Sequence, residues 1–281
     1  MTAYALDHLK GFSILGEDAM AFAQSQLTCQ LGSLDGHDWH PAGWCNGQGR
    51  VLTTLLIHAN SDQHIDCVVP RDQVDATIDR LQKFTIGRQV TLSAPQHIWG
   101  AWDLTTPDVA RPLAFDSRRY LALADGQTAT VDATAMQTWA LADIEAGLCW
   151  LGLDVSGQFL PQALGLERLN GLSYTKGCYP GQEVIAKIYY RGQLKERLVR
   201  VTWPDNMADG QPGGALFTAP DGDDGSTKAV GRIVNRQQRQ GLAVVKTKVA
   251  VGQWLAVQPN GAARVQILPV ESGAPGSDLV S

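Results

Sequence analysis

Residues 11–84 set the strongest limit on the fold. A strand over Gly11 to Leu15 gives way to a helix opened by Gly16-Glu17-Asp18, whose acidic first turn suits the positive end of a helix dipole. Ala19, Phe22, Ala23, Gln26 and Leu27 recur at helical spacing, with Phe22 and Leu27 as core anchors. After the turn-like Asn46-Gly47-Gln48-Gly49, the runs Val51 to Ile57 and Ile65 to Val69, the latter ended by Pro70, predict a hairpin. A helix follows from Arg71 to about Phe84, with Val74, Ile78 and Leu81 on one stripe. The order strand, helix, two strands, helix recurs more loosely in Trp99 to Leu104, Tyr120 to Ala124 and the helical Ala133 to Ala146. Such alternation without long parallel runs predicts an α+β class with ferredoxin-like lobes.

The texture changes after Pro161. From about Leu194 the β-rich pieces Leu198 to Trp203, Ala229 to Val234, Leu242 to Lys246 and Trp254 to Val257 are separated by Gly, Pro and Asp clusters, at intervals suited to a small barrel or sandwich. The expected organisation is an α+β region of two intertwined lobes over 1–193, a β-barrel domain over 194–270 and a loose tail over 271–281. Gly222-Asp223-Asp224-Gly225 lacks the alternating ligands and final glutamate of a calcium loop and reads as a hairpin loop.

With 44% hydrophobic and 18% charged residues over 281 positions, the chain has enough apolar material for ordinary cores. The start MTAYALDHLK carries no basic segment before an apolar run, and no stretch of about eighteen uncharged apolar residues occurs, so export and membrane spanning are not expected. A cytoplasmic monomer is expected. Cys29, Cys45, Cys67, Cys149 and Cys178 are odd in number and never form a C-x-x-C pair, so free thiols are expected and no metal site. His37 and His40, flanking Asp38-Trp39, read as loop histidines rather than ligands.

Charge is uneven: residues 1–160 hold 9 Lys/Arg against 18 Asp/Glu and residues 161–281 hold 14 against 10, giving −9 and +4. Much of the positive excess sits in Lys187, Arg191, Lys195, Arg197 and Arg200. A contact for an anionic ligand and a solvated strand face both account for this strip, and direct nucleic-acid binding is not expected.

The chemistry concentrates in Lys176-Gly177-Cys178-Tyr179-Pro180-Gly181-Gln182-Glu183, followed by the β-like run Val184 to Tyr190. This reads as a shaped turn feeding a strand. Gly177 and Gly181 permit backbone angles closed to larger residues and so present Cys178 on a tight loop. Lys176, with Lys187 or Arg191, would raise the thiolate fraction of Cys178 and make it a reactive thiol; a small buried cysteine is the alternative.

The run resembles the K-G-C-Y-x-G-Q-E signature of the YgfZ family, which includes bacterial folate-binding proteins and mitochondrial iron-sulfur maturation factors. Gly16-x-Asp18-Ala19-x-x-Phe22-x-Gln24-x-Gln26-Leu27-Thr28, Gly49-Arg50-Val51, Phe159-Leu160-Pro161-Gln162 and Gly231-Arg232-Ile233 are similar to further family segments, so the resemblance runs from about residue 11 to 260. It implies a three-lobed, ring-like arrangement.

Asp143-Ile144-Glu145-Ala146-Gly147-Leu148-Cys149 looks like the R-L-E-A-G-L-C segment of the related glycine-cleavage aminomethyltransferases, whose glutamate holds the pterin of tetrahydrofolate. The match gives that role to Glu145, since one carboxylate can accept paired pterin N–H donors. Trp139 is similar in position to a folate-lining tryptophan of YgfZ proteins, and the transferase arginine before the segment becomes Asp143. The transferases also carry G-G-I-x-D-D-L, whose acid assists attack at the folate-linked carbon. Here Gly49-Arg50-Val51-Leu52-Thr53-Thr54-Leu55 holds two threonines instead, which cannot replace a carboxylate as a base. The resemblance therefore implies a tetrahydrofolate-binding factor supporting iron-sulfur protein maturation or repair, including tRNA-modifying enzymes, with such assembly or client proteins as partners. A folate-dependent aminomethyltransferase or demethylase is the alternative.

Overall fold

The computed structural model describes residues 3–33, 36–104, 110–123, 130–204, 209–218, 227–259 and 263–270. The tail after 270, the Gly222–Gly225 loop and Ala124 lie outside the described residues.

The chain opens with β1 (Tyr4–Ala5), β2 (Leu9–Leu15), α1 (Ala19–Gln26), β3 (His40–Cys45), β4 (Val51–Ser61), β5 (His64–Pro70), α2 (Val74–Gln82) and β6 (Thr91–Leu92). There follow β7 (Ile98–Trp102), β8 (Arg111–Leu113), β9 (Asp116–Leu123), α3 (Ala133–Ala146) and α4 (Gln182–Arg191). The last strands are β10 (Glu196–Thr202), β11 (Ala215–Phe217), β12 (Ala229–Gln237), β13 (Gln240–Lys246), β14 (Trp254–Ala256) and β15 (Arg264–Leu268).

They form a five-stranded sheet ordered β3-β4-β5-β2-β6, a four-stranded sheet ordered β1-β7-β9-β8, and a closed barrel ordered β10-β13-β12-β11-β14-β15. The mixed α and β class and the barrel are those the sequence predicts. Strand β1, from the start of the chain, pairs with β7 in the second sheet.

Each unit has its own apolar centre. Phe22, Leu27, Leu55 and Val69 fill the first lobe between α1 and its sheet, and Val199, Trp203, Ile233 and Val245 fill the barrel. A third cluster joins Val51, Leu166, Tyr179, Ile185, Leu198 and Val244, so the signature segment packs between the first lobe and the barrel. The Asn235 side chain and the Trp150 backbone bond reciprocally, at 2.6 and 3.0 Å, and dock β12 on the segment after α3.

Helix α3 starts where expected, because Asp132 accepts from the backbone N–H groups of Thr134 and Ala135, and it stops at Gly147 in the left-handed region. Two expectations fail. Val184 to Tyr190 is not a strand but most of α4, which packs Ile185 inward while Val184, Tyr189 and Tyr190 stay exposed. Its apolar residues have high strand propensity, yet Ile185 and Ile188 are spaced three apart, the period of a helix face. His40 lies not in a loop but at the start of β3; Pro41 is tolerated there because β3 is an edge strand.

Candidate functional site

The signature segment is held by contacts at long range in sequence. Gly181 begins α4 with φ 77°, and a Cβ there would lie 2.4 Å from the Gly49 backbone and 2.6 Å from the Asn46 carbonyl oxygen. Only glycine allows this approach, so the Gly49-Arg50-Val51 turn and the signature are two halves of one contact.

Lys176 is buried, and its Nζ donates to the carbonyls of Leu27 and Cys29 at 2.6 and 2.7 Å. It thus satisfies two carbonyls of the chain just after α1, close to the helix end whose dipole suits a cation. Burial lowers its pKa to about 8, while the nearby Cys29 acts in the opposite sense. The thiol coupled to this ammonium is Cys29, itself pushed up to about 12 by burial. The Tyr179 hydroxyl donates to the Ser173 carbonyl at 3.2 Å, and Gln182 Nε2 donates to the Lys176 carbonyl at 3.0 Å. Between these anchors Cys178 is exposed, whereas the other four cysteines are buried. A Cβ at Gly177 would meet no atom within 4 Å, so the chain beside the thiol is open to approach. Glu183 is exposed in the first turn of α4.

Directly before the signature, Ser173, Tyr174 and Thr175 line a cavity of about 630 Å³, shared with Tyr189 and Tyr190 of α4, Arg168 and His40. Tyr174 and Tyr189 stack at 3.8 Å, and Tyr190 meets Tyr189 edge-on at 4.9 Å. Burial raises the Tyr174 phenol above its ordinary range and keeps it a donor at neutral pH. Arg168 donates to the carbonyl of Ala146 at 2.5 Å, which ties the C-terminal end of α3 to the cavity wall. Glu145, one residue earlier, is exposed. Trp139 does not line the cavity. It is 2% exposed and meets Trp102 edge-on at 5.7 Å within the core of the second sheet.

Sequence reading missed Arg119, which is fully buried. Its Nε donates to Asp116 at 2.7 Å, a terminal nitrogen donates to Asp143 at 2.5 Å, and the guanidinium carbon lies 5.1 Å from the Trp139 ring centroid. Asp143 also accepts from the Trp150 indole at 2.8 Å. Exchange of arginine for Asp143 therefore yields a structural ion pair.

Thr53 and Thr54 are fully buried. The Thr54 hydroxyl donates to the Cys149 carbonyl at 2.5 Å and accepts from the Leu151 N–H at 3.1 Å, so it clamps the segment after α3 instead of facing a ligand. The basic strip is not one strand face. Lys187 and Arg191 are exposed on α4 and Lys195 on the following loop, whereas Arg197 and Arg200 bond within the barrel to Val249 and Gln240. Among the described residues no group of three or more His, Cys, Asp or Glu could hold a metal ion, and no helix is long and apolar enough to cross a membrane.

No family model matches the chain. It is similar to the tRNA-modifying protein YgfZ of Colwellia psychrerythraea, 27% identical over 224 residues, or 69% of each chain. The proteins of the same name from Sodalis glossinidius and from an Enterobacter species are 26% and 28% identical over 70% of this chain, and over 70% and 71% of their own. The crystal structure of the glycine cleavage system aminomethyltransferase T from Bartonella henselae shares the fold, with a TM-score of 0.69 over 95% of this chain and 84% of that one, at 13% identity.

Proposed function

The chain is a relative of YgfZ proteins built on an aminomethyltransferase-like fold, and we propose that it binds tetrahydrofolate and supports the maturation or repair of iron-sulfur proteins, tRNA-modifying enzymes among them. The observation that carries the reading is the cavity lined by the stacked tyrosines and by Arg168, which bonds to the Ala146 carbonyl at the end of α3. Its volume of about 630 Å³ falls in the range of small-molecule sites. Tyr174, Tyr189 and Tyr190 offer flat faces to a pterin or benzoyl ring, Arg168 suits a folate carboxylate, and Glu145 at the adjoining helix end accepts pterin N–H donors. Lys187, Arg191 and Lys195 attract the anionic tail of polyglutamyl folate. Cys178, presented by Lys176, Gly177, Tyr179, Gly181, Gln182 and Glu183, supplies the thiol that meets a client protein in the reducing cytoplasm.

Calorimetric titration with tetrahydrofolate tests the pocket. One-to-one binding weakened in Glu145→Gln and in Arg168→Gln is expected, and absence of binding to the wild type would remove folate from the account. Cys178→Ser is expected to fail in restoring iron-sulfur enzyme activity to a deletion strain; full restoration would remove the thiol. The aminomethyltransferase-like fold favours one-carbon transfer as a second reading. The buried, fully engaged Thr54 weighs against it, and turnover of a folate-linked one-carbon donor would reverse that judgement.

A further inference from the structure

A second cavity, of about 540 Å³, shares no lining residue with the first and lies where the turn before β2, one face of α3 and the barrel meet. Met136, Ala140 and Ile144 recur at helical spacing along its α3 wall, and Trp150 and Val234 close it from the segment after α3 and from β12. Both ring nitrogens of His8, which lines this cavity, are buried and have no hydrogen-bond partner among the described residues. Burial depresses the imidazole pKa, so the ring is neutral and offers one donor and one acceptor. Native proteins rarely leave such groups unpaired, and this pair faces a cavity.

The charge of the lining selects the occupant. Asp143 is already neutralised by Arg119, which leaves Asp72 and Asp154 against Arg236. The Arg236 guanidinium is turned to the barrel, where it lies 4.4 Å from the Trp203 ring centroid and donates to the Gln238 carbonyl at 3.1 Å. With Asp72 and Asp154, both exposed, against Arg236, the lining carries a net negative formal charge, opposite in sign to what a folate tail requires.

We propose that this cavity is a ligand site separate from the folate pocket, and that it takes a small primary amine bearing a neighbouring hydroxyl or carbonyl oxygen and an apolar body. The ammonium donates to one His8 nitrogen under the field of Asp72 and Asp154, the neighbouring oxygen accepts from the other, and the apolar body lies against Ile144, Trp150 and Val234. This assignment does not depend on folate binding.

The full chain is titrated with 2-amino-1-phenylethanol and, in parallel, with mandelate, which keeps the phenyl carbinol and replaces the aminomethyl group by a carboxylate. Saturable one-to-one binding of the amine is expected, with mandelate at least about tenfold weaker, equivalent to about 1.4 kcal/mol. The His8 ring signals in the wild-type NMR spectrum, assigned with His8→Gln, should shift with the amine along the same isotherm. Ala140→Phe, which fills the cavity, should abolish amine binding and leave the tetrahydrofolate titration as in wild type. Equal binding of the two probes, no saturable binding of the amine, unmoved His8 signals, or full amine binding by a folded Ala140→Phe would each overturn the proposal. Should Ala140→Phe fail to fold, the wild-type His8 signals and the two-probe comparison still decide it.

Discussion

Helices α3 and α4 line different cavities and are built on opposite principles. Helix α3 buries Trp139, Asp143 and Ile144 and is closed at both ends by local signals, Asp132 and Gly147. Helix α4 buries Ile185 alone, has no side-chain cap at its start, and leaves Tyr189 and Tyr190 51% and 64% exposed beside the exposed Cys178. One helix holds the lobes together; the other displays groups to its cavity and to solvent. Apolar residues left exposed in this way mark a surface kept for contacts rather than for folding.

The sharpest way to break this contrast is Arg119→Met. It leaves Asp116 and Asp143 without their shared cation in the core, and the loss expected for half of a buried pair is about 3–5 kcal/mol. Tyr190→Ala on α4 is expected to change stability by less than about 0.5 kcal/mol, as at other surface positions. Urea unfolding measures both. Equal effects would mean that α4 carries the fold as much as α3 does.

Lys176→Met comes next, because it strips the cation from two carbonyls just after α1 and loosens the loop that leads into α4. Two buried acceptors left unpaired correspond to about 2–4 kcal/mol. The pH dependence has a definite sign. With its pKa lowered from 10.5 to about 8 in the folded chain, Lys176 releases its proton there first, while the unfolded chain keeps it up to 10.5. Wild-type stability relative to Lys176→Met should therefore rise with pH between about 8 and 10.5 and stay level below that window. A flat difference across the window would show that the ammonium stays charged.

The same contrast explains what could be read in the sequence. Helix α3 was legible to the residue because its cap and its stop are both local, and four of the six barrel strands were legible from their turns, while β11 and β15 were not. Helix α4 was not, since the strand propensity of Val184, Ile185 and Ile188 masked the helical spacing of Ile185 and Ile188. Glycine and lysine in the signature were visible as motif letters, but their reasons lie far along the chain: Gly181 against Gly49, and Lys176 against Leu27 and Cys29. The Arg119–Asp143 pair spans two elements and leaves no trace at a fixed spacing. Replacing Asp132 by alanine tests the local part of this account. Loss of the cap should destabilise the chain by about 1 kcal/mol and shift the urea midpoint without changing the slope.

The smallest effect on stability, and the most informative about display, is expected from reversing Lys187, Arg191 and Lys195 together to glutamate. All three are exposed, and none forms an ion pair among the described residues, so unfolding should move by less than about 0.5 kcal/mol. If α4 and its following loop present charge to a ligand, binding must respond where folding does not. Tetrahydrofolate carrying one glutamate should bind the variant almost as it binds wild type, whereas a pentaglutamyl form should lose its advantage, and the loss should shrink as salt is raised. A uniform drop for both forms would place the charges at the pterin end. No change for either would leave α4 as a display of aromatic side chains and Cys178 alone.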